Sequence, residues 1–136
     1  MTAKEYLYQA FTISRLIKAK ETRIRDLRDM LERVTVTLSD DKVQSSPKPD
    51  PMGEFMATIV DLEAECRSDI LRLISCQKEI EAVINTLEQP EHRLILFERY
   101  VNLKKWEDVA ADNGYSEKHI FKLHGHALAK LKLDTK

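Results

Sequence analysis

Glycine and proline are scarce in this sequence of 136 residues, and their scarcity limits the possible fold classes. Only three glycines and four prolines are present, whereas sandwiches and barrels need such residues at many tight turns. Hydrophobic residues make up 43% of the chain and charged residues 33%, a mixture typical of helical proteins that fold in water. The composition therefore predicts an all-α protein, and the length suits one domain or one domain with an appended element.

Long apolar segments are also missing. No apolar run approaches the roughly 20 residues that a membrane-spanning helix needs, and the first ten residues lack the apolar block of a signal peptide. We therefore expect a cytoplasmic protein without membrane contact. Cys66 and Cys76 are the only cysteines, and on one helix they would lie about 15 Å apart, too far for a disulfide.

The sequence has none of the common motifs of catalysis or cofactor binding. A phosphate-binding glycine loop and a nucleophile motif are absent, and the acidic residues between 61 and 69 have the spacing of a solvated helix surface. His119 and His126 are two helical turns apart, about 10 Å, which is too far to share a metal ion. We therefore expect no enzymatic activity, no cofactor and no metal site.

The net charge of −1 hides an uneven distribution along the chain. Residues 1–38 carry eight basic and five acidic residues, a balance of +3, and residues 39–89 carry five and eleven, a balance of −6. Residues 90–136 carry nine and seven, a balance of +2, together with all four histidines. The opposite signs predict that the first two segments pair with each other, while the last is mildly basic.

Residues 2–38 have the periodicity of one long helix. Thr2 and Glu5 have the spacing of a capping box, and apolar residues follow at alternating three- and four-residue steps, with Lys20 as one polar member. Such steps are typical of a coiled-coil seam. The seam consists of Ala10, Ile13, Ile17, Lys20, Ile24, Leu27, Leu31, Val34 and Leu38.

A second helix, residues 52–88, repeats this pattern after a proline-rich linker at 39–51. Similar lengths predict an antiparallel, coiled-coil-like hairpin over residues 1–89. Further apolar residues off the seam, Leu16 and Ile74 among them, predict a homodimer in which a second copy covers the hairpin. The second seam consists of Met56, Ile59, Glu63, Cys66, Ile70, Leu73, Gln77, Ile80, Ile84 and Leu87.

Residues 90–136 have the pattern of a three-helix domain that ends in a helix-turn-helix. Pro90 suits a first helical position. Ala110 is small enough for a close helix crossing, Gly114 tolerates the positive φ of the turn, and Ser116 can cap the following helix. Apolar anchors for that helix are Val109, Tyr115, Ile120 and Leu123.

The run from Phe97 to Leu131 resembles region 4 of bacterial sigma factors, the helix-turn-helix that recognises the promoter −35 element. The whole chain is similar to small proteins of Gram-positive phages and prophages, described as sigma-like or ArpU-type regulators. It lacks a segment resembling sigma region 2, and it departs from the region 4 pattern at Asn113, His124 and Gly125. The matching positions are Arg99, Tyr100, Trp106, Glu107, Val109, Ala110, Gly114, Ser116, Ile120, Ala127 and Leu131.

Outward-facing residues at the start of the second helix of such a motif reach base edges and phosphates in the major groove. For Lys104 and Lys105, a phosphate contact and a solvated turn both remain open. The predicted DNA-binding residues are Lys104, Lys105, Ser116, Glu117, Lys118, His119, Phe121, Lys122 and His126.

Three functions are compatible with these patterns. The first is a phage or prophage transcriptional regulator whose dimer places one recognition helix in each half-site. The second is a DNA-packaging protein of the small-terminase kind, which would assemble as a closed ring. The third is a module that binds RNA polymerase or another protein without reading DNA, an alternative that the modest charge of residues 90–136 supports.

Overall fold

Five α-helices and no β-strand make up the residues that the structure, a computed structural model, describes: 1–40 and 51–131. The predicted all-α class is confirmed for this part of the chain. None of these helices combines the length and hydrophobicity needed to cross a membrane. The helices are α1 (Ala3–Asp40), α2 (Pro51–Ile84), α3 (Pro90–Tyr100), α4 (Trp106–Asn113) and α5 (Glu117–Lys130).

The capping box predicted at the start of α1 is present. The backbone N–H of Thr2 donates to Oε2 of Glu5 at 2.9 Å, and the backbone N–H of Glu5 donates to Oγ1 of Thr2 at 3.1 Å. Two donors at the start of the helix are thereby satisfied. α1 then continues to Asp40, slightly past the predicted end at residue 38.

α2 is shorter than predicted, since it ends at Ile84 rather than near residue 88. Gln89 has extended backbone angles (φ −83°, ψ 122°), because a proline disfavours the helical conformation of the residue before it. Pro90 occupies the first position of α3, as predicted. Between the two helices Leu87 turns inward and is only 4% exposed.

Contacts divide the chain into two units. The described residues of the first, here called the C-terminal unit, are 1–14 and 72–131; those of the second, the two-helix unit, are 15–40 and 51–71. The divisions fall at 14/15 and 71/72, and the predicted domain boundary at 89/90 stays a prediction. Residues 41–50 of the predicted linker and 132–136 of the predicted C-terminal domain lie outside the described residues.

Two ion pairs between α1 and α2 align the helices of the two-helix unit. Nζ of Lys20 lies 2.7 Å from Oδ2 of Asp69, and the guanidinium of Arg28 pairs with the carboxylate of Glu63. Residue numbers rise along one helix as they fall along the other, so these stretches run antiparallel. The buried hydrophobic residues of this unit are Ile17, Leu27, Ile59 and Cys66.

The predicted seams are wrong at Val34 of α1, which is 44% exposed, and at Met56 and Ile70 of α2, which are 39% and 41% exposed. Asp69, the neighbour of Ile70, is instead 7% exposed. Asp69 takes the inward position because it binds Lys20, the polar member of the α1 seam, and the hydrogen bond from that ammonium raises the pKa of Lys20. A buried carboxylate requires such a partner, so the pairing of two charges decides which face of α2 turns inward here.

All five helices contribute to the core of the C-terminal unit. α3 packs against α4 and α5, while Leu7 of α1 and Ile80 and Ile84 of α2 are fully buried in the same cluster. The side-chain amide of Gln77, a polar member of the predicted α2 seam, donates to the carbonyl of Val101 at 2.8 Å. The core therefore includes residues on both sides of position 89/90.

Replacing Asp69 with leucine should lower the melting temperature, because the half-buried Lys20 then has no counter-charge in the interface between α1 and α2. The double variant Lys20→Leu/Asp69→Leu should recover much of the loss, since two apolar side chains can fill the interface without charge. Thermal unfolding followed by far-ultraviolet circular dichroism measures both, with the exposed Asp61→Leu as control. A double variant as unstable as Asp69→Leu alone would contradict this account of the interface.

Candidate nucleic-acid interface

The turn between α4 and α5 is centred on Gly114. Its φ of 68° and ψ of 26° lie in the left-handed region, which glycine adopts without the steric cost that a Cβ brings. The backbone N–H of Gly114 donates to Ala111, and that of Tyr115 donates to Ala110 at 2.9 Å, so the last carbonyls of α4 are satisfied. The predicted positive φ at this glycine is confirmed.

Ser116 caps the N-terminus of α5, as predicted. Its backbone is extended (φ −72°, ψ 157°), and its Oγ accepts a hydrogen bond from the backbone N–H of His119 at 3.1 Å. Because the hydroxyl of Ser116 accepts this hydrogen bond, its side chain stabilises the start of α5.

The crossing of α4 and α5 is closely packed around Ala110. Its side chain is 5% exposed, and Val109 and Ile120 beside it are fully buried. Leu123, the last predicted anchor on α5, is 9% exposed. One face of α5 is therefore fixed against the rest of the unit, and the opposite face is left to solvent.

The exposed face of α5 carries most of the predicted DNA-binding residues. Lys118 and Lys122 are one helical turn apart and lie on the same face. Phe121 is 47% exposed although its ring packs against Trp106 at a centroid distance of 5.8 Å, and the His119 ring lies 5.0 Å from that of Tyr115. The exposed residues of the predicted set on α5 are Glu117, Lys118, His119, Phe121, Lys122 and His126.

The two lysines before α4 have different surroundings. Lys105 is exposed at the N-cap position of α4. Nζ of Lys104 lies 3.0 Å from Oδ2 of Asp112 and 3.7 Å from Oε1 of Glu98, and the hydrogen bond to Asp112 raises the pKa of Lys104. The charge of Lys104 is therefore already compensated within the chain, which makes Lys105 the better placed of the two to meet a phosphate.

A cluster of rings joins α3, α4 and α5 beneath the exposed face. The hydroxyl of Tyr100 and Nε2 of His124 are hydrogen-bonded at 2.8 Å. The imidazole of His124 also packs against Trp106, with 4.4 Å between ring centroids. The guanidinium of Arg99 lies 4.2 Å from the ring centroid of Phe11 and 4.9 Å from that of Trp106, which is favourable cation–π geometry.

Burial controls ionisation in this cluster. It raises the pKa of Tyr100 to about 12, against the opposing effect of the Arg99 guanidinium. It lowers the pKa of His124 to about 4, and the positive charges of Lys4 and Arg99 act in the same direction. At neutral pH both groups are therefore uncharged, as a buried hydrogen bond between two rings requires.

The three residues that depart from the sigma region 4 pattern lie in different surroundings. Asn113 is half-buried, and its side-chain amide donates to Oε2 of Glu98 at 2.9 Å and to the carbonyl of Val109 at 2.8 Å. His124 is the partner of Tyr100 described above. No atom lies within 4 Å of the position that a Cβ on Gly125 would take, so internal packing does not require glycine there.

Sequence reasoning missed the partners of Arg99. Its Nη1 donates to the carbonyl of Lys104 at 2.8 Å, and this contact spans the turn in which Leu103 has a positive φ of 56°. A non-glycine residue in this region is strained. Nothing local in the sequence marks Leu103 for it, since the conformation follows from how α3 and α4 pack.

Comparison of the chain with protein-family models, with curated proteins and with solved structures found no match in any of the three.

The variant Ala110→Leu should be destabilised by about 1–3 kcal/mol, because the larger side chain overpacks the crossing of α4 and α5. Ala111→Leu is the matched control, since the neighbouring Ala111 is exposed and should tolerate leucine with little change. Chemical denaturation followed by circular dichroism measures both free energies of unfolding. Equal losses in the two variants would show that the crossing is not closely packed.

The free energy of unfolding should fall as the pH decreases from about 6.5 to about 4. In the unfolded chain His124 binds a proton near its ordinary pKa of 6.5, whereas in the folded chain its pKa is about 4, so acid favours unfolding. At about 1.4 kcal/mol per pKa unit, this residue accounts for a loss on the order of 3 kcal/mol.

Denaturation curves of the native protein and of His124→Leu over this pH range test the assignment. The leucine variant should be less stable at neutral pH, because Tyr100 loses its hydrogen-bond partner, but its stability should depend less steeply on pH. Identical pH dependence in the two proteins would exclude His124 as the source.

Proposed function

We propose that the chain is a DNA-binding transcriptional regulator of the phage or prophage kind, in which α4, the Gly114 turn and α5 act as a helix-turn-helix. The observation that carries the proposal is the division of α5 into two faces. Ile120, Leu123 and Ala127 are buried, while Lys118 and Lys122 are exposed on the other side. This is the arrangement in which one helix can enter a major groove.

The chemistry of the exposed face is compatible with DNA recognition. Lys105, Lys118 and Lys122 can contact phosphates, which position a protein on the duplex and supply salt-dependent affinity. Glu117 can accept a hydrogen bond from the amino group of cytosine, and Phe121 can contact the methyl group of thymine. The resemblance of residues 97–131 to sigma region 4 supports the same proposal, in which the exposed face of α5 is directed toward DNA.

α1 and α2 are proposed to form the antiparallel hairpin through which the protein dimerises. Since each copy carries one α5, a dimer would supply two recognition helices and a target with two half-sites. The proposal requires a dimer because the exposed face of one α5 is only mildly basic. Lys104 adds little positive charge to it, since this lysine is paired with Glu98 and Asp112.

One observation favours a second candidate, a module that binds RNA polymerase or another protein without reading DNA. Phe121 is a large exposed ring on α5, and Glu117 lies in the first turn of the same helix. Exposed aromatic residues are enriched at protein interfaces. For the small-terminase alternative, assembly state is the discriminating property, because packaging proteins of that kind form closed rings.

Replacing Lys118 and Lys122 together by alanine should weaken DNA binding and make it less sensitive to salt. Two lost phosphate contacts should reduce the slope of log affinity against log salt by about 2. Fluorescence anisotropy with a labelled mixed-sequence duplex, measured over a series of salt concentrations, gives both quantities. Circular dichroism should show the native helix content, because both side chains are exposed.

Lys78→Ala is the matched control, since it removes an exposed lysine from α2 rather than from α5. It should leave the salt slope unchanged. If the native protein does not bind the duplex even at low salt, the regulator proposal fails and the protein-binding module is favoured. If it binds but the double variant binds equally well, α5 is not the helix in the groove.

A further inference from the structure

Both helices of the two-helix unit expose large apolar side chains. On α1 these are Leu16, Met30, Val34 and Val36, which lie among many exposed charged residues. On α2, Met56 is 39% exposed, Val60 54%, Ile70 41% and Leu71 68%. Isolated exposed apolar residues are common on proteins. These four residues indicate an interface only because of their regular spacing along α2.

These residues form one stripe along α2. With 3.6 residues per turn, positions 56, 60, 64, 67 and 71 lie on one side of a helix, and 63 and 70 border them. The side that packs against α1 carries Ile59 and Asp69, which are buried. We call the exposed side, residues 56, 60, 63, 64, 67, 70 and 71, the outer stripe of α2.

The outer stripe carries only two charged residues, of opposite sign. Glu63 and Arg67 are one helical turn apart, and Ala64 between them is small and exposed. The other charged residues of this part of α2, such as Asp61 and Glu65, lie on a third side of the helix. Within the described residues of the two-helix unit, no third helix covers the stripe.

We propose that the outer stripe is where a second copy of this chain binds, with the two α2 helices antiparallel and a two-fold axis near residue 65. An isologous interface must be complementary to itself. In this register Glu63 of each copy lies opposite Arg67 of the other, so two equivalent ion pairs form across the axis. The same register places Val60 of each copy opposite Ile70 and Leu71 of the other.

The charge pattern is what selects a second copy as the occupant. A stripe with one acidic and one basic residue four positions apart matches its own reversed copy, whereas a parallel copy in register would place like charges opposite each other. Glu63 also pairs with Arg28 of its own chain, so in the dimer its carboxylate would bridge this guanidinium and that of Arg67 of the second copy. This inference rests on the proposed homodimer and specifies its interface.

Sedimentation equilibrium of the full chain without DNA tests the interface, and it does so independently of any DNA binding. The native protein should be a dimer at tens of micromolar. Val60→Asp should raise the dimer dissociation constant at least tenfold, because a carboxylate would be buried opposite apolar side chains. Val36→Asp, on α1, is the matched control: Val36 is 61% exposed and lies outside the stripe, so this variant should remain dimeric.

Charge reversal tests the register. Arg67→Glu alone places two acidic pairs across the axis and should weaken the dimer at least tenfold at low salt. Glu63→Arg combined with Arg67→Glu and Arg28→Glu reverses the pairs across the axis and keeps residues 28 and 63 opposite in charge, so this triple variant should restore the dimer. Circular dichroism of each variant separates loss of the dimer from loss of the fold.

Three results would overturn the inference. A native protein that is monomeric at tens of micromolar has no such interface. A dimer unaffected by Val60→Asp uses another face, and a dimer that is not restored by the triple charge reversal has another register. DNA binding, measured on a duplex at low salt, remains a separate readout, so failure of the interface leaves the regulator proposal standing.

Discussion

The hydrogen bond between Tyr100 and His124 connects α3 to α5 inside the C-terminal unit, and the orientation of the exposed face of α5 depends on it. The two side chains lie 2.8 Å apart in a cluster of rings that also includes Trp106. In such a site an unpaired hydroxyl or imidazole is costly, and so is a charged imidazole. α5 is therefore held against α3 by two polar groups that must both stay neutral, in addition to the buried apolar side chains of Ile120 and Leu123.

Ion pairs within the chain decide how much positive charge the surface keeps. Lys104 is held by Asp112 and Glu98, and Lys20 is held by Asp69, so neither lysine is available to an external anion without breaking an existing contact. Lys105, Lys118 and Lys122 carry the exposed positive charge of the proposed interface. A modest positive surface of this kind is consistent with a protein that engages DNA through two copies rather than one, since electrostatic contributions from separate phosphate contacts add up.

Sequence patterns predicted the local features of the turn between α4 and α5 well, because each of them depends on a few neighbouring residues. A left-handed turn needs a glycine, a helix N-terminus needs a side-chain acceptor, and Gly114 and Ser116 meet these needs within three positions. The seam of α2 was predicted less well. Its apolar spacing allowed Ile70 to face inward, but the partner on α1 is a charged Lys20, and the neighbouring Asp69 satisfies that charge. The spacing of apolar residues along one helix does not reveal which side chains of a second helix contact them.

The sequence by itself determined where helices begin and where the chain turns, because these features depend on residues close together in the chain. Examples are the Thr2–Glu5 capping box, the start of α3 at Pro90, the Gly114 turn and the Ser116 cap. The tertiary structure alone decided the partners of buried polar groups. Tyr100 and His124 are far apart in sequence, as are Lys20 and Asp69, and Arg99 reaches Phe11 only because α1 and α3 pack together. The turn between α4 and α5 could therefore be predicted from sequence, while the charge that remains exposed on α5 could be read only from the packed helices.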